Sequence, residues 1–200
     1  PFDKKTSRKL LNLPTEKTLL LFGAVGGEKD PRKGFDLLIN VLKYLNKNLE
    51  TKKIELVIFG QTKPHSFPEI DFTIHYIGAL NDDLSLRFLY NTADVMVIPS
   101  RQDNLPNTGV EAHACGVPVV AFDTGGLKDI VDHKDTGYLA KPFDIKDFAN
   151  GIIWVLENNM NKQLSINARN SALTKFSEKI ITNKYLDLYK SVINDSKTKK

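Results

Sequence analysis

Cysteine is almost missing from this sequence: one thiol, Cys115, stands in 200 residues. A single thiol cannot close an internal disulfide, which excludes a disulfide-stapled scaffold and suits a cytoplasmic compartment. Its neighbours Ala114 and Gly116 mark it as packed rather than reactive. Long apolar runs are missing too, since none approaches the roughly 18 residues of a membrane span. Transmembrane classes are thereby excluded, although peripheral attachment to a membrane stays open. Metal-ligand spacing is absent: His65, His75, His113 and His133 are scattered, no His-Glu-x-x-His occurs, and each histidine reads as a surface or half-buried side chain. The net charge is +4 and the pI about 9.0, yet the basic residues form no stripe with interleaved aromatics, and no nucleic-acid partner is expected. Their only clusters, Lys4, Lys5, Arg8, Lys9 and Lys197, Lys199, Lys200, read as solvated, frayed ends. Internal repeats and Pro/Gly/Ser linkers are also lacking, so residues 1–194 read as one domain with a polar tail at 195–200. The first residue is Pro1 rather than Met, as expected of a processed chain or a piece of a longer one.

What the sequence does contain is an alternation of short β-rich runs with longer segments of helical period. Strands are expected at Thr18 to Gly23, Ile54 to Gly60, Thr73 to Gly78, Asp94 to Pro99, Val117 to Phe122 and Gly137 to Ala140. Several are continuous apolar runs, the pattern of strands buried on both faces of a parallel sheet. Phe35, Leu38, Val41, Leu42 and Leu45 recur at helical spacing, as do Ile145, Phe148, Ile152 and Leu156. The resulting fold class is α/β, a doubly wound, Rossmann-like parallel sheet of six strands with helices on it. A last amphipathic helix, with Ile181, Tyr185, Leu188 and Val192 on one stripe, has no evident docking partner. The loop from Gln61 to Asp71, with Pro64 and Pro68, reads as a surface connection.

The chemistry concentrates in Pro99-Ser-Arg-Gln-Asp103-Asn-Leu-Pro-Asn-Thr-Gly109-Val-Glu111-Ala-His-Ala-Cys-Gly116-Val-Pro-Val-Val120. It runs from a strand end through a polar loop into a short helix and the next strand, and ligands of parallel α/β sheets bind outside the carboxyl ends of strands. A helix starting near Thr108 would offer free N–H groups and the positive dipole end to a phosphate, with Gly109 allowing close backbone approach. Glu111 admits two readings. Thr108-x-x-Glu111 is a capping box that ties off helix donors, whereas an ionised carboxylate can also hold a vicinal diol.

Pro99, Ser100, Glu111, Ala112, Ala114, Gly116, Pro118, Val119 and Val120, with Asp103 as the first acid, resemble the frame of group-1 retaining glycosyltransferases of the GT-B fold. That family pairs two acids separated by seven residues, usually with Glu where Asp103 stands. Two further stretches are similar to the family: Gly23-Ala-Val-Gly26-Gly27 leading to Lys33-Gly34, and Gly125-Gly126 followed by Thr136-Gly137-Tyr138. Both glycines of the pair fit a structural turn. The family often has Arg where Ala24 stands, a loss that Arg32 would have to make good. The resemblance implies the C-terminal, donor-binding half of an enzyme that moves a sugar from a nucleoside-diphosphate sugar to an acceptor hydroxyl with retention. It implies no cofactor, no obligatory metal, and an acceptor-binding N-terminal domain as partner. In the implied site Lys33, with the turn at Asn107, Thr108 and Gly109, meets the diphosphate and Glu111 holds the ribose. Asp103, with the backbone around Asn104 and Leu105, orients the sugar. Two alternatives remain: a nicotinamide- or flavin-dependent oxidoreductase, against which Gly23-Ala-Val-Gly26-Gly27 and the acid-free Phe59-Gly60-Gln61 count, and a non-catalytic nucleotide-binding module.

Overall fold

The structure, a computed structural model, describes residues 1–23, 30–48, 53–63 and 70–198. Helix α1 (Lys4–Leu10) leads into strand β1 (Thr18–Gly23), a 3-10 turn (Pro31–Lys33), α2 (Phe35–Asn48), β2 (Ile54–Phe59) and β3 (Ile74–Gly78). Then come α3 (Asp83–Thr92), β4 (Val95–Ile98), α4 (Asn107–Ala114), β5 (Val119–Phe122), α5 (Leu127–Ile130) and β6 (Gly137–Ala140). Helices α6 (Ile145–Asn158), α7 (Gln163–Phe176) and α8 (Glu178–Thr198) complete the described chain. All six expected strands form, and they pair in parallel in the order β3-β2-β1-β4-β5-β6.

Burial on both faces explains the continuous apolar runs. Alternate residues of β1 divide between two cores. Leu20 and Phe22 pack with Leu38 and Leu42 of α2 and Phe148 and Ile152 of α6, while Leu19 and Leu21 join Leu89 and Tyr90 of α3, Ala112 of α4 and Ile130 of α5 on the opposite face. Strands β1 and β6 have the expected bounds, and the other four are one or two residues shorter, β3 and β5 at their amino ends, β2 at its carboxyl end and β4 at both.

One expectation is corrected at the amino end. The basic cluster there is a folded helix rather than a frayed end. Asp3 caps α1 by accepting from the Thr6 N–H at 2.7 Å, and Arg8 is 4% exposed. Its guanidinium donates to the carbonyls of Thr92, Thr15 and Lys17 and to Asp94 at 2.8 Å. A buried guanidinium is tolerated because its donors find acceptors there. At the other end α8 carries the backbone helically past Asn194 to Thr198. Its stripe of Tyr185, Leu188 and Val192 is exposed, 54–58% in each case.

Candidate functional site

The strand order reverses at β1, whose neighbours are β2 on one side and β4 on the other. The chain leaves β1 for α2 on one face and leaves β4 for α4 on the opposite face. Their carboxyl ends therefore diverge around a crevice, the place where such sheets take ligands. The residues that flank it are the turn Pro31 to Gly34 and the loop Pro99 to Pro106.

These two segments are fastened together. The Arg101 N–H donates to the Arg32 carbonyl at 2.7 Å, and the Arg101 guanidinium forks onto Asp36 at 2.7 and 2.6 Å. That fork holds the Asp36 carboxyl below its usual range. Gly34 has φ +66°, and a Cβ there would strike the Pro99 carbonyl, so a glycine is required where the turn crosses the end of β4. Lys33 Nζ then reaches Asp103 Oδ2 at 2.7 Å. Two residues singled out for the donor site thus meet directly, though 70 positions apart.

The Asp103 loop is held from its other side by the glycine pair. The Gly126 N–H donates to the Asp103 carbonyl at 3.0 Å, and a Cβ on Gly125 or Gly126 would strike the carbonyl of Asp103 or Asn104. The glycine turn is structural, as expected, but what it supports is the acid-bearing loop. Beyond it Asn104, Leu105 and Asn107 are exposed.

Helix α4 begins one residue earlier than Thr108. Asn107 is its first residue, Pro106 occupies the cap position, and no side chain caps the helix. The capping-box reading of Thr108 and Glu111 is therefore corrected: Thr108 lies inside the first turn and Glu111 is two positions too far along to reach back. The N–H groups of Gly109 and Val110 turn onto the Pro106 carbonyl at 3.0 and 3.4 Å. Those of Asn107 and Thr108 donate to no described residue. Gly109 is buried, and a Cβ there would crowd Ile98 and Ile130 at 3.1 and 3.2 Å, so its smallness serves packing against β4 and α5.

Glu111 has an unforeseen partner. Oε2 accepts a 2.6 Å hydrogen bond from the hydroxyl of Tyr90, while Oε1 accepts from no described residue. Burial, then the Glu111 carboxylate, pushes the Tyr90 hydroxyl far above its ordinary pKa, so it remains a donor at any physiological pH. The sequence signal was indirect: a Tyr inside an apolar helix end must find a polar partner once buried.

Other expectations fare differently. Arg32 forks onto Asp30 at 3.0 and 2.8 Å, and its side chain is 69% exposed. Ala24, Gly26 and Gly27, like His65 and most of the loop from Gln61 to Asp71, lie outside the described residues. His113 is 0% exposed, which corrects the surface reading of the histidines. Helix α4 is wedged among the sheet, α5 and α7, leaving no solvent-facing side there. His75 is half-buried against Glu55 at 2.6 Å, and His133 is exposed. Burial pushes the Cys115 thiol up, in keeping with a packed, unreactive side chain. A cavity of about 710 Å³ opens at the opposite end of the sheet, beside Thr18, Asp94 and Val117. Its charged lining, Asp3, Lys4, Asp94, Lys162 and Arg169, includes none of the residues singled out from the sequence for the donor site.

A six-stranded parallel sheet whose order reverses at β1, with Lys33 meeting Asp103 beside that reversal and α4 opening after the same loop, is a Rossmann-like α/β domain. More particularly, the chain belongs to the glycosyl transferases group 1 family, whose sequence model matches residues 3–171. It is 29% identical over 213 residues to a D-inositol 3-phosphate glycosyltransferase of Saccharomonospora viridis, covering 96% of this chain and 47% of the relative. It is 30% identical over 152 residues to a Campylobacter jejuni N,N'-diacetylbacillosaminyl-diphospho-undecaprenol alpha-1,3-N-acetylgalactosaminyltransferase, covering 74% and 39% respectively. The chain thus spans about half the length, or less, of these curated relatives. Among solved structures it is similar to sucrose-phosphate synthase from Thermosynechococcus elongatus, with TM-score 0.79, 24% identity, and coverage of 97% of this chain and 50% of that one. It is also similar to Anabaena HepE in complex with UDP and glucose, with TM-score 0.76, 21% identity, and coverage of 96% and 52%. These likenesses give the fold: one Rossmann-like half of the GT-B architecture.

Proposed function

We propose that the chain is the donor-binding domain of a retaining glycosyltransferase that transfers a sugar from a nucleoside-diphosphate sugar to an acceptor hydroxyl. The observation that carries this reading is the Lys33–Asp103 contact beside the β1/β4 crevice, on a loop that leads directly into α4, where the N–H groups of Asn107 and Thr108 donate to no described residue and Glu111 is tethered by Tyr90. Each piece has a task in such a transfer. The α4 turn at Asn107, Thr108 and Gly109 and the ammonium of Lys33 stabilise charge developing on the leaving diphosphate, by fixed dipoles and a point charge. Glu111 accepts from the ribose hydroxyls. Asp103, together with the backbone of Asn104 and Leu105, orients the donor sugar.

In this reading Lys33 is shared. Without donor it rests on Asp103, and the incoming diphosphate competes for it, releasing the acid toward the sugar. The diphosphate charge is met by these groups, with no obligatory metal. The acceptor and the rest of the active site belong to an N-terminal domain, a reading supported by relatives twice the length of this chain. A cytoplasmic setting forms part of the same proposal. HepE was solved with UDP and glucose, which makes uridine diphosphate sugars the first candidates.

Calorimetric titration of UDP-, GDP- and ADP-sugars and of NAD tests the reading. Binding of one sugar nucleotide with NAD inert is the expected result. Binding of NAD alone would replace it with the oxidoreductase reading, and no binding at all would overturn it.

A further inference from the structure

Tyr90 contributes nothing to the crevice surface, yet its hydroxyl is committed to the carboxylate that the preceding reading gives to the ribose. It sits in the last turn of α3, 1% exposed, with its ring edge-on to Phe59 at a centroid distance of 5.7 Å. The Ala93 N–H donates back to the Tyr90 carbonyl at 3.1 Å and fixes the end of the helix. The phenol is therefore a rigid donor standing on the opposite side of Glu111 from solvent. Its 2.6 Å bond occupies one acceptor position of Oε2. A carboxylate offers about four, so both oxygens can still receive hydroxyl protons.

Left alone, a half-buried Glu on the second turn of a short helix would sample several rotamers, and a bidentate grip on a diol would cost the ordering of that side chain. We propose that Tyr90 is a positioning residue that holds the Glu111 carboxylate in the plane that receives the two ribose hydroxyls, so that recognition of the diol depends on a phenol that never touches it. This rests on the assignment of Glu111 to the ribose. A rival account makes the bond only a way of satisfying a buried hydroxyl.

The two accounts separate on the ratio of two affinities. The probes are whichever of UDP, GDP or ADP the titrations show to bind tightest and its 2′,3′-dideoxy analogue, measured on the wild-type chain, Y90F and E111Q. Phe keeps the ring against Phe59, and a ratio of affinities is insensitive to the fraction of chain that is folded. The wild type prefers the ribose form, E111Q loses most of that preference, and Y90F reduces it by about five- to tenfold, the usual worth of one such hydrogen bond, with the dideoxy affinity unchanged. An undiminished preference in Y90F overturns the role of Tyr90 while leaving that of Glu111 intact. An undiminished preference in E111Q overturns the ribose assignment, and the inference about Tyr90 with it.

Discussion

Lys33 and Asp103 form a pair to which the proposed function gives two tasks, one at the diphosphate and one at the sugar. The bond is short at 2.7 Å and partly shielded, with side-chain exposures of 32% and 16%. If Lys33 faces the diphosphate, K33A lowers affinity for the nucleoside diphosphate by about tenfold, the worth of a charge-assisted contact, and leaves the bare nucleoside unaffected. Calorimetry on the two ligands checks this, and equal losses for both would sink the role. The sequence showed Lys33, Asp103 and Glu111 as candidates but not their partners. The bonds Lys33–Asp103 and Tyr90–Glu111 join positions 70 and 21 apart, and sequence spacing informs only about neighbours on one helix or strand. Arg8 was misread for the same reason: two of its four acceptors, Thr92 and Asp94, lie 84 and 86 positions away, so only the fold reveals why a cation is buried.

At the scale of elements, α4 and the glycine turn before α5 set the site's shape. Gly126 is buried against the Asn104 carbonyl, so G126A forces the acid-bearing loop outward. We expect a loss of roughly 1–3 kcal/mol in stability, the range for overpacking, together with weaker donor binding. Urea unfolding and calorimetry on one preparation check both, and unchanged donor affinity would detach the turn from the site. Strands were legible because burial on two faces leaves an unmistakable apolar run, as in Leu19-Leu-Leu-Phe22. Helices α2 and α6 were legible from their stripes. Helix α7 has little amphipathic contrast, since it packs small residues such as Ala168 and Ala172 rather than a broad apolar face. The cap of α4 falls on Pro106, two residues before Thr108 and without a side-chain acceptor, and that shift removed the capping box.

For the molecule as a whole, His113 links stability to pH. Burial lowers its pKa from 6.5 to about 4, only partly offset by the Thr136 backbone and by Asp132, with Lys175 acting in the same direction as burial. The unfolded chain takes up a proton near pH 6.5 that the folded chain refuses until about pH 4. Stability from this group is complete above the upper value and declines as pH falls through that window, by about 3 kcal/mol in all. Denaturant titrations between pH 7 and 4.5 should show this loss, and H113Q should flatten it. Parallel curves for the two proteins would refute the assignment.

The crevice is flanked by segments that follow β1 and β4, the paired strands at the central seam of the sheet, and that are fastened to each other by Arg101 and Lys33. Under the proposed function, a donor held between these segments favours the folded sheet as a whole rather than one local loop. By mass action a donor at a hundredfold its dissociation constant stabilises the native state by about 2.7 kcal/mol. Under the same proposal, the supply of sugar nucleotide acts on the protein's lifetime as well as on its turnover.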